Sequence, residues 1–287
     1  MSLERFSRTT SLLLIATIAL AMAGTVSAAE TLPVGENGLP EFIEGNTLKT
    51  MTFFLFFVGY IAMGAAFVFF MSERSNVAPQ YRTTMTISAL IVGIAAFHYY
   101  YMRGVYADYG TVSVEYRYMD WIITVPLMAL KFPSLIGKDA ITDTKVPVIG
   151  FGFTGVCFTG ALIMIGFGYA GEAGLMNGLA ALIIGGAGWA MIIVATGTPW
   201  TSGLGVDNSK IAPELMWSAN ALRWFIVVGW VIYPLGYLFS PEVALIEMDN
   251  GAEYMAVAYN IADIINKIGF GVVAWMGAKK ATAAMKA

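Results

Sequence analysis

From residue 47 onward, long apolar runs alternate with short polar links, and the runs have no period-two alternation of the kind a half-buried strand needs. A helix needs about 20 residues to cross the hydrocarbon of a bilayer. On that measure the chain divides into seven spans, near 47–72, 80–106, 112–133, 146–169, 176–199, 212–240 and 250–278. The links carry turn and charge signals: SERSNVAPQ, GKDAITDTKVP, YAGEAG, TPWTSGLGVDNSK and SPEVALIEMDNG. No internal repeat is visible.

Ahead of the spans, Arg5 and Arg8 precede an apolar run from Leu12 to Ala23, and Val26-Ser27-Ala28-Ala29 offers small residues for cleavage. Residues 1–29 therefore read as a signal peptide, with an uncleaved anchor as the alternative. Residues 30–46 form an acidic linker, 47–281 the seven-helix domain and 282–287 a short tail.

Composition agrees with the pattern. Of 287 residues, 58% are hydrophobic and 12% charged, about half the charged share of a soluble domain. The expected fold is an all-α membrane protein, a seven-transmembrane-helix bundle. A single Cys (Cys157) excludes a disulfide framework, and a single His (His98) excludes a multi-histidine metal site. No basic stretch points to nucleic acid.

Charge orients the bundle. Arg74, Arg82, Lys138, Lys145, Lys210, Lys279, Lys280 and Lys286 fall at one end. The other has Lys49 and Arg103 against Glu172, Glu242, Glu247, Asp249 and Glu253. The positive-inside rule places the amino terminus outside and the carboxyl terminus in the cytoplasm of a multi-pass protein of the cell (inner) membrane.

The candidate chemistry is the set of charges inside the spans. Lys267 sits mid-span in YNIADIINKIGFGVVAW, with Asp263 one turn earlier on the same face. A charge at that depth costs a few kcal/mol at least (~3 on insertion scales) and so calls for a partner and a use. A Schiff-base lysine and a structural i, i+4 ion pair both meet that description. In the third span, VEYRYMDWIITVPLMALKF, Arg117, Asp120, Thr124 and Lys131 recur at helical intervals, which lines up Asp120, Thr124 and Lys131. A column of ionisable groups marks an ion or proton path, although Lys131 at its end is long enough to snorkel to the interface. His98 closes the second span at a depth that allows contact with Asp120, and a satisfied core histidine is the alternative. Trp121, Trp189, Trp230 and Tyr233 lie within spans rather than at their ends, where they either pack the core or wall a slot for a flat apolar ligand.

Three of these stretches, RYMDWIITVP, GWVIYPLGY and YNIADIINK, together resemble the microbial rhodopsins, specifically the proteorhodopsin-like bacterial group. The similarity runs from about Thr47 to Trp275. It implies all-trans retinal in the bundle core, bound to Lys267 as a protonated Schiff base. Asp120 then matches the primary counterion and proton acceptor, Asp263 the second counterion, and Arg117 the arginine that offsets the second negative charge. His98 matches a histidine that contacts the acceptor. Trp121, Met128, Met164, Trp189, Trp230 and Tyr233 match the retinal pocket, and Glu172 an outer glutamate and possible release group. Lys131 stands where most outward pumps place a carboxylic acid. The Asp120, Thr124, Lys131 set is similar to a lysine-donor subgroup, which implies that Lys131 is the cytoplasmic proton donor. An apolar Met128 is associated with green absorption, and Leu182 stands where carotenoid-binding relatives keep Gly.

The resemblance implies a light-driven outward proton pump. The competing readings are a sensory rhodopsin that signals through a transducer and a seven-helix transporter with no chromophore. Family members form pentamers or hexamers, so a homo-oligomer is expected, and no sequence feature selects its size.

Overall fold

A computed structural model describes residues 31–143, 151–243 and 245–286. The segment read as a signal peptide lies outside these residues. Seven long helices cross the molecule: α1 Thr47–Asn76, α2 Pro79–Tyr109, α3 Val114–Ile136, α4 Phe153–Glu172, α5 Gly178–Thr196, α6 Pro213–Tyr237 and α7 Gly251–Ala284. All seven expected spans are present. α7 runs past its expected end at 278, because Lys279, Lys280 and the Ala-rich stretch after them favour helix even where the chain leaves the apolar layer. α4 begins at Phe153, and the earlier start expected for it falls mostly on residues outside those described.

Helix ends are set by local chemistry. Asn46, Ser113 and Asn177 accept bonds from the backbone N–H of Lys49, Tyr116 and Ala180 and so cap α1, α3 and α5. Pro213 opens α6, where its missing N–H costs nothing. The linker is not free chain: Phe42 packs edge-on against Tyr106, and the Leu32 N–H donates to the Asp108 carbonyl at 2.6 Å.

The helices close into a ring, with α1 packed on α2 and α4 on α5, and α7 touching α1, α2 and α6. α4 and α5 approach closely because a Cβ at Gly160 would meet the Gly188 carbonyl at 2.6 Å. The outward faces are apolar: Phe54, Val58, Ile61, Val68 and Ile183 are all exposed. Such faces are stable against lipid, and the chain is a multi-pass membrane protein. The polar residues of α3 and α7 point inward, where Arg117, Asp120, Thr124, Lys131, Asn260 and Asp263 are each 0% exposed.

Candidate functional site

Two irregular turns face each other at the centre of the bundle. In α6, Pro234 lacks the N–H that would reach the Trp230 carbonyl, and the helix tightens into a 3-10 turn over Gly229–Val231. In α7 a π-helical turn spans Ile264–Gly269, between α-helical stretches Gly251–Asp263 and Phe270–Ala284. The Asn266 side-chain amide donates to the Gly229 carbonyl at 3.0 Å, joining the two turns. Lys267 therefore sits on a widened turn held from both sides.

The Lys267 ammonium donates to Asp120 Oδ2 from α3, and to Asp263 Oδ2 at 3.0 Å from its own helix. All three side chains are buried. The carboxylates differ in their support. Asp263 also accepts from Tyr99 Oη at 3.0 Å, Tyr233 Oη at 2.7 Å and Trp121 Nε1 at 3.3 Å. Among the described residues Asp120 has only Lys267 at its carboxylate, and its Oδ1 has no partner. Thr124 bonds to the Asp120 backbone carbonyl at 3.0 Å rather than to its carboxylate.

Arg117 lies on the acidic side of this group. Its guanidinium donates to Asn260 Oδ1 at 3.1 Å and stands 5.1 Å from the centroid of the Tyr259 ring. No carboxylate among the described residues lies within ion-pair distance of it. The Tyr259 hydroxyl donates to Glu172 Oε1 at 2.6 Å, and Glu172 is buried rather than placed at the outer surface. Arg117, Tyr259 and Glu172 thus form a polar run leading away from the aspartates.

Lys131 lies on the basic side, 0% exposed, with its Nζ unpartnered among the described residues and 4.9 Å from the Phe270 ring centroid. It does not snorkel. His98 departs from expectation: no hydrogen bond joins it to Asp120. Its Nδ1 pairs with the Ile94 carbonyl one turn back at 3.0 Å, which turns the ring along its own helix and toward a lateral groove beside Phe97 and Ile123.

An apolar cavity of about 100 Å³ reaches Lys267. Trp121, Met128, Met164, Trp189, Trp230 and Tyr233 all line it, as does Leu182. The sequence reading missed Tyr99, Tyr259, Asn260 and Asn266. The two asparagines flank Asp263 and Lys267 in YNIADIINK, and polar side chains in an apolar run are the signal that would have found them. The tyrosines carry no such signal, since aromatic residues are ordinary in a core.

Comparison with known proteins agrees with this geometry. Residues 50–281 match the family model for bacteriorhodopsin-like proteins. The blue-light absorbing proteorhodopsin of Gamma-proteobacterium Hot 75m4 is 38% identical over 225 residues, 76% of this chain and 82% of that protein. The crystal structure of blue light-absorbing proteorhodopsin from Med12 is 30% identical, with a TM-score of 0.66 over 80% of this chain and 98% of that one. Exiguobacterium sibiricum rhodopsin is also 30% identical, with a TM-score of 0.67 over 83% and 99%. With the seven-helix bundle, the buried lysine and the family match in agreement, the chain belongs to the bacteriorhodopsin-like family of microbial rhodopsins.

Proposed function

We propose that this chain is a light-driven outward proton pump, an ion transporter rather than an enzyme, with all-trans retinal held on Lys267. The observation that carries the reading is the Lys267–Asp120–Asp263 cluster, whose lysine lines an apolar cavity, with buried Lys131 on one side and Arg117, Tyr259 and Glu172 on the other. Members of this family carry retinal as their chromophore. The residues here fit that group: an aldehyde needs a buried amine, a long polyene needs an apolar slot, and a cation at the junction needs carboxylates. Retinal, when bound there, would supply a polyene that absorbs visible light and isomerises.

The chain's own groups do the rest. Asp120 takes the proton from Lys267 Nζ at its oxygens, of which Oδ1 is free of other bonds. Asp263, held by Tyr99, Tyr233 and Trp121, serves as second counterion and fixes the orientation of Nζ. Arg117 and Tyr259 conduct the released charge toward Glu172, the proposed release group. Lys131 returns a proton to Nζ from the basic side. In this reading Lys131 takes up a cytoplasmic proton only after Nζ has lost its own. Trp189 and Trp230 wall the slot, and apolar Met128 against it supports green absorption.

The basic end is the cytoplasmic one in this reading, so release at Glu172 is outward. Light delivered to a suspension of cells making the protein with retinal will acidify the medium, and an uncoupler will abolish the signal. A coloured protein that leaves the external pH unchanged would instead be a photosensor.

A further inference from the structure

Arg223 is a fully buried cation that the proton path described above does not use. It lies in α6, at the level where α5 ends. The C-terminus of a helix leaves carbonyls without intrahelical partners, and those of α5 are all met. The Val194 carbonyl accepts from the Leu204 N–H at 2.9 Å and the Ala195 carbonyl from the Gly205 N–H at 3.2 Å. The Gly197 carbonyl accepts from the Thr196 hydroxyl at 3.3 Å. The Thr196 carbonyl accepts from Arg223 Nε at 2.9 Å. The α5–α6 link therefore folds back over the end of α5, and Arg223 completes the closure from inside.

The rest of the guanidinium holds the same link. One terminal nitrogen donates to Asn208 Oδ1 at 2.7 Å and the other to Asn220 Oδ1 at 3.0 Å. The Arg223 Cζ stands 5.4 Å from the centroid of the Phe132 ring, the residue after Lys131. The link is also tied to the one leaving α3. The Thr142 N–H donates to the Gly205 carbonyl at 3.0 Å, the Thr142 hydroxyl to the Leu204 carbonyl at 2.9 Å, and the Asp207 N–H to the Ala140 carbonyl at 2.9 Å. Ala140, Val206 and Ile211 from these two links are buried in the same core as Phe132 and Leu135. The α5–α6 link and residues 137–143 thus form a lid over the basic end of α3, where Lys131 lies with no exposure.

We propose that Arg223 is the latch of this lid, a positioning residue that governs when Lys131 meets the cytoplasm. The role in uptake rests on the reading of Lys131 as donor. A pump must not connect its inner groups to both sides at once, and a side chain bonded at once to the end of α5, to the α5–α6 link and to α6 is placed to control that access. Arg suits the task because its planar fork serves three acceptors in fixed directions, which an ammonium cannot.

The test compares wild type with Arg223→Gln, Arg223→Lys and the milder Asn208→Ala, each with retinal in nanodiscs. Backbone hydrogen exchange in the dark reads the lid, and the rate of proton return to Lys267 after a flash, followed across a range of pH, reads access. In Arg223→Gln the amides of Thr142, Leu204, Gly205 and Asp207 should exchange about ten-fold faster or more, as loss of a charged hydrogen bond predicts. Proton return should then follow the proton concentration, whereas the wild-type rate is flat because lid opening limits it. Asn208→Ala should shift both in the same direction and Arg223→Lys should fall between. Unchanged exchange in all variants overturns the latch, and faster exchange with a flat pH profile overturns its role in access. If wild type shows no light-driven proton release, the proposed function falls. The latch is then judged by dark acylation of Lys131: faster modification in the variants upholds it and equal rates remove it.

Discussion

Asp120 and Asp263 share one ammonium, yet only Asp263 has other donors to hold its charge. That difference divides their roles, and Asp120→Asn should expose it. Excitation moves positive charge along the polyene away from Nζ, so a carboxylate beside Nζ stabilises the ground state more than the excited state. Asp120→Asn should therefore absorb at longer wavelength at neutral pH and release no proton in light. Acidifying the wild type should produce the same red shift by protonating Asp120, and the variant should lack that transition in a pH titration of its spectrum. Lys131→Ala should leave the colour in place and slow proton return to Lys267 by about a hundred-fold or more, the low end of what a positioned acid supplies; flash photolysis measures it, and an unchanged rate removes Lys131 from the path. Both charges were legible in the sequence because an ionisable residue in an apolar run stands out by cost alone. Their hydrogen-bond partners were not, since Tyr99 and Tyr259 are brought to the site only by the packing of α2 and α7. His98 shows the limit of reading depth alone: the level is right, but its Nδ1 is bonded to the Ile94 carbonyl of its own helix and not to Asp120.

At the scale of helices, the site depends on the joint between the α6 kink and the α7 π turn. Pro234 announces the kink in sequence. The π turn leaves no mark, because Ile264–Gly269 reads like the rest of an apolar helix. Asn266 connects the two by bonding to the Gly229 carbonyl. Asn266→Leu would strand that carbonyl in an apolar interior, at a cost of about 1–3 kcal/mol. Thermal unfolding in one detergent should show a lower midpoint, and the visible band should shift because Lys267 is the next residue. A loss of stability with an unmoved band would mean that the joint braces the bundle without positioning Lys267.

For the whole molecule, apolar length and charge bias carried most of the fold. Seven spans and their order were readable because a bilayer imposes length and internal hydrogen bonding on each. The closing contacts were not readable. Glu73 at the end of α1 accepts from Trp275 Nε1 at 2.8 Å and pairs with Lys279 at 3.4 Å, tying the first helix to the last. The arrangement of basic residues predicts that a protease-sensitive tag at the carboxyl terminus is cut in inside-out vesicles and spared in intact cells. Cutting in intact cells would reverse the membrane orientation and with it the direction of transport.

The account stands most directly on Lys267 as the residue that carries the chromophore. Purified protein mixed with all-trans retinal should develop a single visible band that moves to longer wavelength on acidification. Lys267→Ala, folded and given the same aldehyde, should stay without that band. If the variant forms the same coloured, acid-sensitive species as the wild type, the central claim is wrong.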